Sequence, residues 1–204
     1  MKKAFVFTAC TLLVGGLGSA QPAPASQPAA TMSGNPVVGS AKAIFQRQQQ
    51  TLVAAAEQMP ADKYEYRPTP QQNSFGQTVA HVIGSNYVIC SRFDASTPPA
   101  QDTLPKAADP KDKLVASLKE SVDFCNKALS RLTDSKLGDE VTLFRGMKVP
   151  RAYALFSLTN DFADHYAAMA MYLRLNGMLP PSAQPRPNTG SSTQPQPAQK
   201  PPQP

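Results

Sequence analysis

NDFADHYAAMAMYLRLNGMLPPS, residues 160–182, contains one of the two histidines of this chain and predicts its last helix. Apolar residues here and just upstream recur at steps of three and four, which is the spacing of one helix face. Asp161 lies four residues before His165 and projects from the same side, one turn away. Gly177 and the two prolines after it end the helix. The face comprises Leu155, Leu158, Phe162, His165, Met169, Tyr172 and Leu173. A carboxylate and an imidazole on an apolar, inward-facing stripe therefore need an explanation.

Four amphipathic segments predict four helices. The first covers about residues 38–59, and the second begins at Ser74, whose Ser-x-x-Gln pattern is a capping box. The third begins with Asp109 as its cap and Pro110 in its first position, and the fourth is the stretch quoted above. The connection between the second and third helices, residues 94–109, is long enough to cross along the outside of a bundle. The sequence therefore predicts an all-α four-helix bundle.

Residues 141–149, VTLFRGMKV, interrupt this helical pattern. They form two short β-prone runs on either side of Arg145-Gly146. Glycine favours a tight turn, so these residues predict a small hairpin or an extended loop.

The two ends of the chain differ in composition from the middle. Residues 1–20 have the pattern of a signal peptide, with a basic start, an apolar run at 4–14 and the small triplet Gly-Ser-Ala before Gln21. A transmembrane anchor needs about 20 apolar residues, and this run is shorter. A lipoprotein is disfavoured because Cys10 lies inside the apolar run. We therefore expect cleavage near Ala20 and export to a periplasm or outside the cell.

Two Pro-rich segments flank a single predicted domain. Residues 21–36 are rich in Pro and Ala, and residues 184–204 in Pro and Gln, with too few large apolar side chains to form a core. We expect a disordered linker and a disordered tail. Residues 37–183 between them have the length of one ordinary domain.

The charge balance of the chain is mild. Its 20 Lys and Arg fall to 18 when Lys2 and Lys3 are removed with the signal peptide, against 14 Asp and Glu. The basic residues are scattered among acids on helical segments, which is typical of a solvated surface. We therefore expect no nucleic-acid partner. A second long apolar run is absent, so we expect no transmembrane segment in the mature chain.

Cys90 and Cys125 remain after the predicted processing. In an exported protein such a pair is a disulfide candidate, and closing this loop would contribute about 3–4 kcal/mol to stability. Two buried free thiols are the alternative. A catalytic thiol is disfavoured because no histidine is near either cysteine in sequence.

His81 and His165 lie on different predicted helices. Metal sites in bundle cores are built from side chains on facing helices, and two imidazoles with the Asp161 carboxylate would form an open three-ligand site. Two other interpretations remain from the residues alone. Each histidine can be a hydrogen-bonded core residue, and Asp161 with His165 can be a simple salt bridge.

Two segments of the sequence resemble the DinB superfamily. They are NSFGQTVAHVIGSNYVIC at 73–90 and DFADHYAAMAMYLRLNGMLPPS at 161–182, with the lead-in YRPTP at 66–70. The family pattern joins a Ser-Phe-Gly helix start and a histidine to a last helix with H-x-x-x-H and Tyr-Leu-Arg-x-x-Gly-x-x-Pro-Pro. The resemblance covers residues 38–182. It implies a four-helix bundle in up-down-down-up order, with a divalent metal on three histidines.

Carried over by position, the resemblance implies His81, Asp161 and His165 as metal ligands. Asp161 departs from the family, because it stands where the first histidine of H-x-x-x-H is expected. A carboxylate ligates zinc but also favours harder ions such as manganese or magnesium. The implied cofactor is thus a divalent ion such as zinc, nickel or manganese. Asn86, five residues after His81, and Tyr172, on the His165 face, are expected pocket residues.

The same topology makes the second and third helices parallel. Cys90 lies about sixteen residues beyond Ser74, and Cys125 about as far beyond Asp109, so the two sulfurs are expected at similar depth. The resemblance therefore supports the disulfide.

Three functions follow from the resemblance and the expected compartment. The first is a metal-dependent hydrolase with an unknown small-molecule substrate. The second is a non-catalytic envelope binding or scaffold protein that retains the bundle. The third is a thiol transferase, as in family members that use bacillithiol or mycothiol, although those cofactors are cytoplasmic. The resemblance also allows a homodimer.

Overall fold

The computed structural model describes residues 34–185. Four helices and one two-stranded sheet make up this region: α1 Pro36–Gln58, α2 Phe75–Asp94, α3 Lys111–Ser130, β1 Glu140–Thr142, β2 Lys148–Pro150 and α4 Arg151–Leu175. The predicted signal peptide and most of the predicted linker and tail lie outside the described residues. None of the helices within 34–185 combines the length and the apolar character needed to cross a membrane.

Helices α2 and α3 run parallel. Asn86 Nδ2 donates to Ser121 Oγ at 2.9 Å, and one turn further along both helices Cys90 is bonded to Cys125. From the first contact to the second, both helices proceed four residues toward the C-terminus. The long connection between these helices is therefore a crossover, as the sequence predicts.

Helices α1 and α4 also run parallel to each other. The Phe45 ring packs edge-on against Phe162, with centroids 4.8 Å apart, and Gln58 at the end of α1 donates to the Leu179 carbonyl just beyond α4. Both helices run opposite to α3. Gln49 of α1 accepts from Asn126 of α3, whereas Glu57, later in α1, pairs with Lys119, which is earlier in α3.

Helix α4 is antiparallel to α2. His81 stacks on His165, whereas the Tyr172 hydroxyl, further along α4, donates to the carbonyl of Asn73, which precedes α2. The helices thus run up, down, down and up. The predicted all-α bundle and its topology are confirmed.

The core is filled mainly by leucine, alanine, valine and phenylalanine. Its largest fully buried side chains include Phe45, Leu52, Phe75, Ile83, Leu118, Leu155, Leu158 and Phe162. The apolar members of the predicted α4 face, from Leu155 to Leu173, are all buried. Burial of this stripe is what holds α4 against α1 and α2, since helices in proteins are stabilised mostly by packing.

The start of α2 is fixed on the preceding loop. Ser74 and Gln77 form the predicted capping box, with Gln77 Oε1 accepting from the Ser74 amide at 2.7 Å. The Gly76 amide donates to the Tyr64 carbonyl at 2.8 Å. A Cβ on Gly76 would lie 2.9 Å from the Ala107 carbonyl oxygen, so the backbones meet here only because the residue is glycine.

The start of α3 differs from the sequence prediction. The helix begins at Lys111, and Pro110 occupies the cap position with an extended backbone, φ −55° and ψ 145°. The Asp109 carboxylate does not cap the helix. It accepts from the Lys106 amide at 2.8 Å and from Lys113 Nζ at 2.9 Å. Proline fixes only φ, and its φ value occurs in both helical and extended backbone. The predicted start of α3 was therefore one residue too early.

The predicted hairpin at residues 141–149 is confirmed. Val141 pairs with Val149 in an antiparallel register, and the turn contains Arg145 and Gly146 at positive φ. The end of α4 is also as predicted. Gly177 has φ +75° and the Met178 amide donates to the Leu173 carbonyl at 2.9 Å, which is a Schellman motif.

Cys90 and Cys125 form a disulfide between α2 and α3, with a Cα–Cα distance of 5.1 Å. Both residues are fully buried. The prediction of a disulfide is thus confirmed, and the alternative of two free thiols does not describe this structure.

Candidate metal centre

Three side chains converge where α2 faces α4. His81 comes from α2, and Asp161 and His165 come from α4, one turn apart. One ligand atom from each residue lies within 4.8 Å of the other two. The structure thus brings together the three residues that the sequence predicts as ligands.

The group lies at the edge of the core, where Asp161 and His165 face inward without being fully enclosed. Their side chains remain 18% and 19% exposed, and His81 is exposed. Phe162 and Met169 on the same face are fully buried. A polar group at the border of the buried stripe keeps contact with water, which avoids the cost of full burial. The centre is therefore open to solvent on one side.

The backbone of α4 orients His165. Its Nδ1 lies 2.7 Å from the carbonyl oxygen of Asp161, so in the neutral ring Nδ1 donates its proton to that oxygen. Nε2 then carries a free lone pair. A hydrogen bond from the distal ring nitrogen to a carbonyl is the usual support for a metal-binding histidine. The ring is thus held in the tautomer that coordination requires.

Asp161 is incompletely bonded. Its Oδ1 is 3.5 Å from His165 Nδ1, too long for a strong hydrogen bond. Its Oδ2 is buried and has no hydrogen-bond partner among residues 34–185. Burial raises the pKa of Asp161, an effect opposed by the positive charge of His165 and of His81 when protonated and reinforced by Asp164. A salt bridge between Asp161 and His165 alone would leave Oδ2 without a partner, whereas a cation bound beside Oδ2 would supply one.

The two imidazole rings stack with centroids 4.8 Å apart and an angle of 27° between their planes. Two neutral rings, the form that binds a metal, tolerate this spacing better than two cations do. Ser85 Oγ lies 3.3 Å from His81 Nε2. Sequence reasoning missed Ser85, although its position four residues after His81 on one helix is a signal for this contact. The residues present fit a divalent cation.

Asn86 and Tyr172, the predicted pocket residues, lie outside this group. Asn86 is fully buried and turns toward α3, where it bonds Ser121. The Tyr172 hydroxyl donates to the Asn73 carbonyl at 2.9 Å, and its ring packs near Phe75. Both side chains are engaged in joining segments of the bundle.

Comparisons with known proteins agree with this architecture. The model of the DinB superfamily matches residues 44–169. A DinB-like protein from Bacillus subtilis has a TM-score of 0.57 at 21% identity, over 74% of this chain and 99% of that one. A DinB-like protein from Bacillus cereus has a TM-score of 0.54 at 16% identity, over 71% and 93%.

A third solved structure is the mycothiol-dependent maleylpyruvate isomerase, with a TM-score of 0.55 at 12% identity. The match covers 65% of this chain and 60% of that one. Among curated proteins no sequence matches this chain significantly. At these identities the structural likenesses establish the fold.

The family match is stronger than the structural likenesses, because it rests on the sequence itself. It spans more than half of the chain and includes the capping box, His81, Asp161 and His165. The bundle order agrees with the same assignment. The chain therefore belongs to the DinB superfamily.

Proposed function

We propose that His81, Asp161 and His165 bind a divalent metal ion, and that the protein is an exported metal-dependent hydrolase of a small-molecule substrate. The observation that carries this proposal is the convergence of three ligand atoms within 4.8 Å beside a buried Asp161 oxygen that lacks a partner. A mixed nitrogen and oxygen set suits zinc, nickel or manganese.

The chain's own residues prepare the site for such chemistry. The Asp161 carbonyl holds His165 in one tautomer, and the exposed His81 side leaves room for a substrate to approach. The carboxylate supplies negative charge to a cation. A bound divalent ion supplies Lewis acidity, which lowers the pKa of a water and polarises a carbonyl.

Thiol transfer is the second candidate, and the likeness to the mycothiol-dependent maleylpyruvate isomerase favours it. The disulfide between Cys90 and Cys125 argues in the other direction. Structural disulfides are typical of oxidising compartments, which supports export, and reduced thiol cofactors are cytoplasmic. We therefore place hydrolysis first and the non-catalytic scaffold after both enzymes.

The test is elemental analysis of residues 21–204, purified without chelator, beside His81→Ala and Asp161→Asn. We expect a near-stoichiometric divalent metal in the wild type and its loss in both variants. Asp164→Asn is the matched control, because Asp164 is an exposed carboxylate three residues along the same helix. It should retain the metal.

The result that would overturn the proposal is a wild type without metal after incubation with zinc, manganese and nickel in turn. The bundle would then be a scaffold. If metal is present, hydrolysis of ester and amide substrates before and after chelation tests the reaction. Activity that survives complete metal removal would contradict a metal-dependent hydrolase.

A further inference from the structure

A second polar cavity lies at the far end of α2. It has a volume of about 330 Å³ and is lined by Ser91, Arg92, Ala95, Ser96, Val141, Thr142 and Arg151. The end of α2, strand β1 and the start of α4 each contribute to it. Arg92 is eleven residues after His81 in the sequence, a rise of about 16 Å along the helix. The cavity is therefore separate from the metal centre.

Two guanidinium groups in this cavity are incompletely bonded. The Nε atoms of Arg92 and Arg151 are buried and have no hydrogen-bond partner within residues 34–185. Arg151 reaches one acid, with Nη1 3.2 Å from Asp139 Oδ2. Arg92 forms no ion pair within the described part of the chain. Buried donors without an acceptor are unfavourable, but these Nε atoms are covered by protein, so an added acceptor would contact the outer Nη groups. Arg92 makes no side-chain hydrogen bond within residues 34–185 that would occupy its Nη groups, whereas Asp139 engages one Nη of Arg151.

Of the two acids near the cavity, Asp94 is engaged outside it and Asp139 pairs with one of the lining residues. Asp94 accepts from Arg131 Nη1 at 2.8 Å and from the Ser96 amide at 3.0 Å. Asp139 pairs with Arg151 and also lies 3.9 Å from Lys136 Nζ. The charge of Arg92 is therefore not neutralised by a nearby acid. The last turn of α2 itself favours a cation at this position. Asp139 offsets the charge of Arg151, so Arg92 carries the positive charge of the cavity that has no acidic partner among residues 34–185.

We propose that this cavity binds the phosphoryl group of a phosphate ester. Arginine forks match phosphate oxygens in geometry, and Arg92 and Arg151 approach from two different elements. Thr142 adds a hydroxyl donor at the rim. A tetrahedral phosphate has enough oxygens for the Arg92 fork, the second Nη of Arg151 and a hydroxyl, whereas a planar carboxylate has only two oxygens. Val141 and Ala95 line the same cavity and offer apolar contact to the organic part of the ester.

The experiment titrates inorganic phosphate and phenyl phosphate into the full mature chain by isothermal calorimetry, in low-chloride buffer with chelator present. The chelator prevents phosphate from binding through a metal. We expect binding by both phosphates, with acetate at least ten-fold weaker. Arg92→Gln should weaken phosphate binding about ten-fold or more, because it removes a charge-assisted hydrogen bond. Arg92→Lys should weaken it partly, since the charge remains without the fork.

Two controls separate this site from others. Arg47→Gln removes an arginine from the exposed face of α1 and should leave phosphate affinity unchanged. His81→Ala should also leave it unchanged, so the result does not depend on the metal centre. Thr142→Val provides a second cavity variant if Arg92→Gln fails to fold, and we expect about a two-fold to five-fold loss.

Four outcomes would overturn the proposal. The first is no phosphate binding at millimolar concentration in the wild type. The second is a folded Arg92→Gln protein that binds phosphate as the wild type does. The third is acetate binding as tight as phosphate, which would make the cavity a general anion site. The fourth is a loss of phosphate binding in His81→Ala while Arg92→Gln still binds it, which would place the bound phosphate at the candidate metal centre.

Discussion

Helix α2 has two unlike faces. The face toward α3 is closed, with Asn86 and Cys90 fully buried and bonded to their partners. The face toward α4 is open, with His81 exposed and Ser85 in contact with it. Ser85 and Asn86 are sequence neighbours, separated by about 100° around the helix. One interface of α2 thus holds the fold while the other leaves polar side chains accessible to a ligand, and each face can be altered separately.

The largest expected effect comes from removing the disulfide. Cys90 and Cys125 are 35 residues apart, and an open loop of this length makes the unfolded chain more favourable by about 3–4 kcal/mol. Cys90→Ala with Cys125→Ala should therefore lower the free energy of unfolding by about that amount. Urea unfolding followed by circular dichroism measures the change.

Reduction of the wild type in the same assay is the matched control, since it opens the loop without deleting either sulfur. Metal content should be unchanged in the folded double variant, because the interface between α2 and α4 keeps all three candidate ligands. A folded double variant that has lost its metal would show that the two faces are coupled.

The bundle and its closed face were largely predictable from sequence. Helical periodicity locates the four helices, and Ser74 with Gln77 marks the start of α2, because local spacing determines both features. The grouping of the three candidate ligands was predictable because His165 and Asp161 share one turn and the family pattern supplies His81. Asp109 was misplaced because Pro110 permits either backbone conformation.

Other features depend on contacts between residues far apart in the chain. Tyr172 bonds the carbonyl of Asn73, 99 residues away, and no spacing rule indicates that contact. The cavity at Arg92 and Arg151 forms because β1 and the start of α4 meet the end of α2. The exposure of His81 likewise depends on how closely α4 approaches α2. Such properties follow from tertiary packing and not from local pattern.

The second effect concerns the hydrogen bond on the closed face. Asn86→Ala removes the bond to Ser121 and leaves a small cavity, so we expect a loss of about 1–3 kcal/mol in the free energy of unfolding. Asn86→Leu should lose less, because it refills the volume and removes Oδ1, which has no partner within residues 34–185. Chemical denaturation of the two variants side by side measures the difference.

Metal stoichiometry provides the second readout for Asn86, since the sequence predicted this residue as part of a pocket. Both variants should retain the metal. A folded Asn86→Ala protein without metal would place Asn86 in the site and abolish the separation between the two faces of α2.

The smallest effect is at the C-terminal end of the closed face, where Asp94 of α2 pairs with Arg131 after α3. Burial opposes ionisation of Asp94, whose side chain is 6% exposed, but hydrogen bonds from Ser96 and Arg131 outweigh it and hold the pKa below its ordinary value. Arg131 is 67% exposed and solvent screens the pair, so Asp94→Asn should lower the free energy of unfolding by about 0.5–1 kcal/mol at pH 7.

The pH dependence of that difference tests its electrostatic origin. A carboxyl group with a lowered pKa in the folded state stabilises the protein above its unfolded pKa, about 3.9, and loses this contribution as the pH falls through the folded value. The gap between wild type and Asp94→Asn in urea unfolding should therefore be constant from pH 7 to about 5 and narrow below about 4. A gap that stays constant to pH 2.5 would mean that Asp94 stabilises the junction of α2 and α3 by packing and neutral hydrogen bonds, and not by its charge.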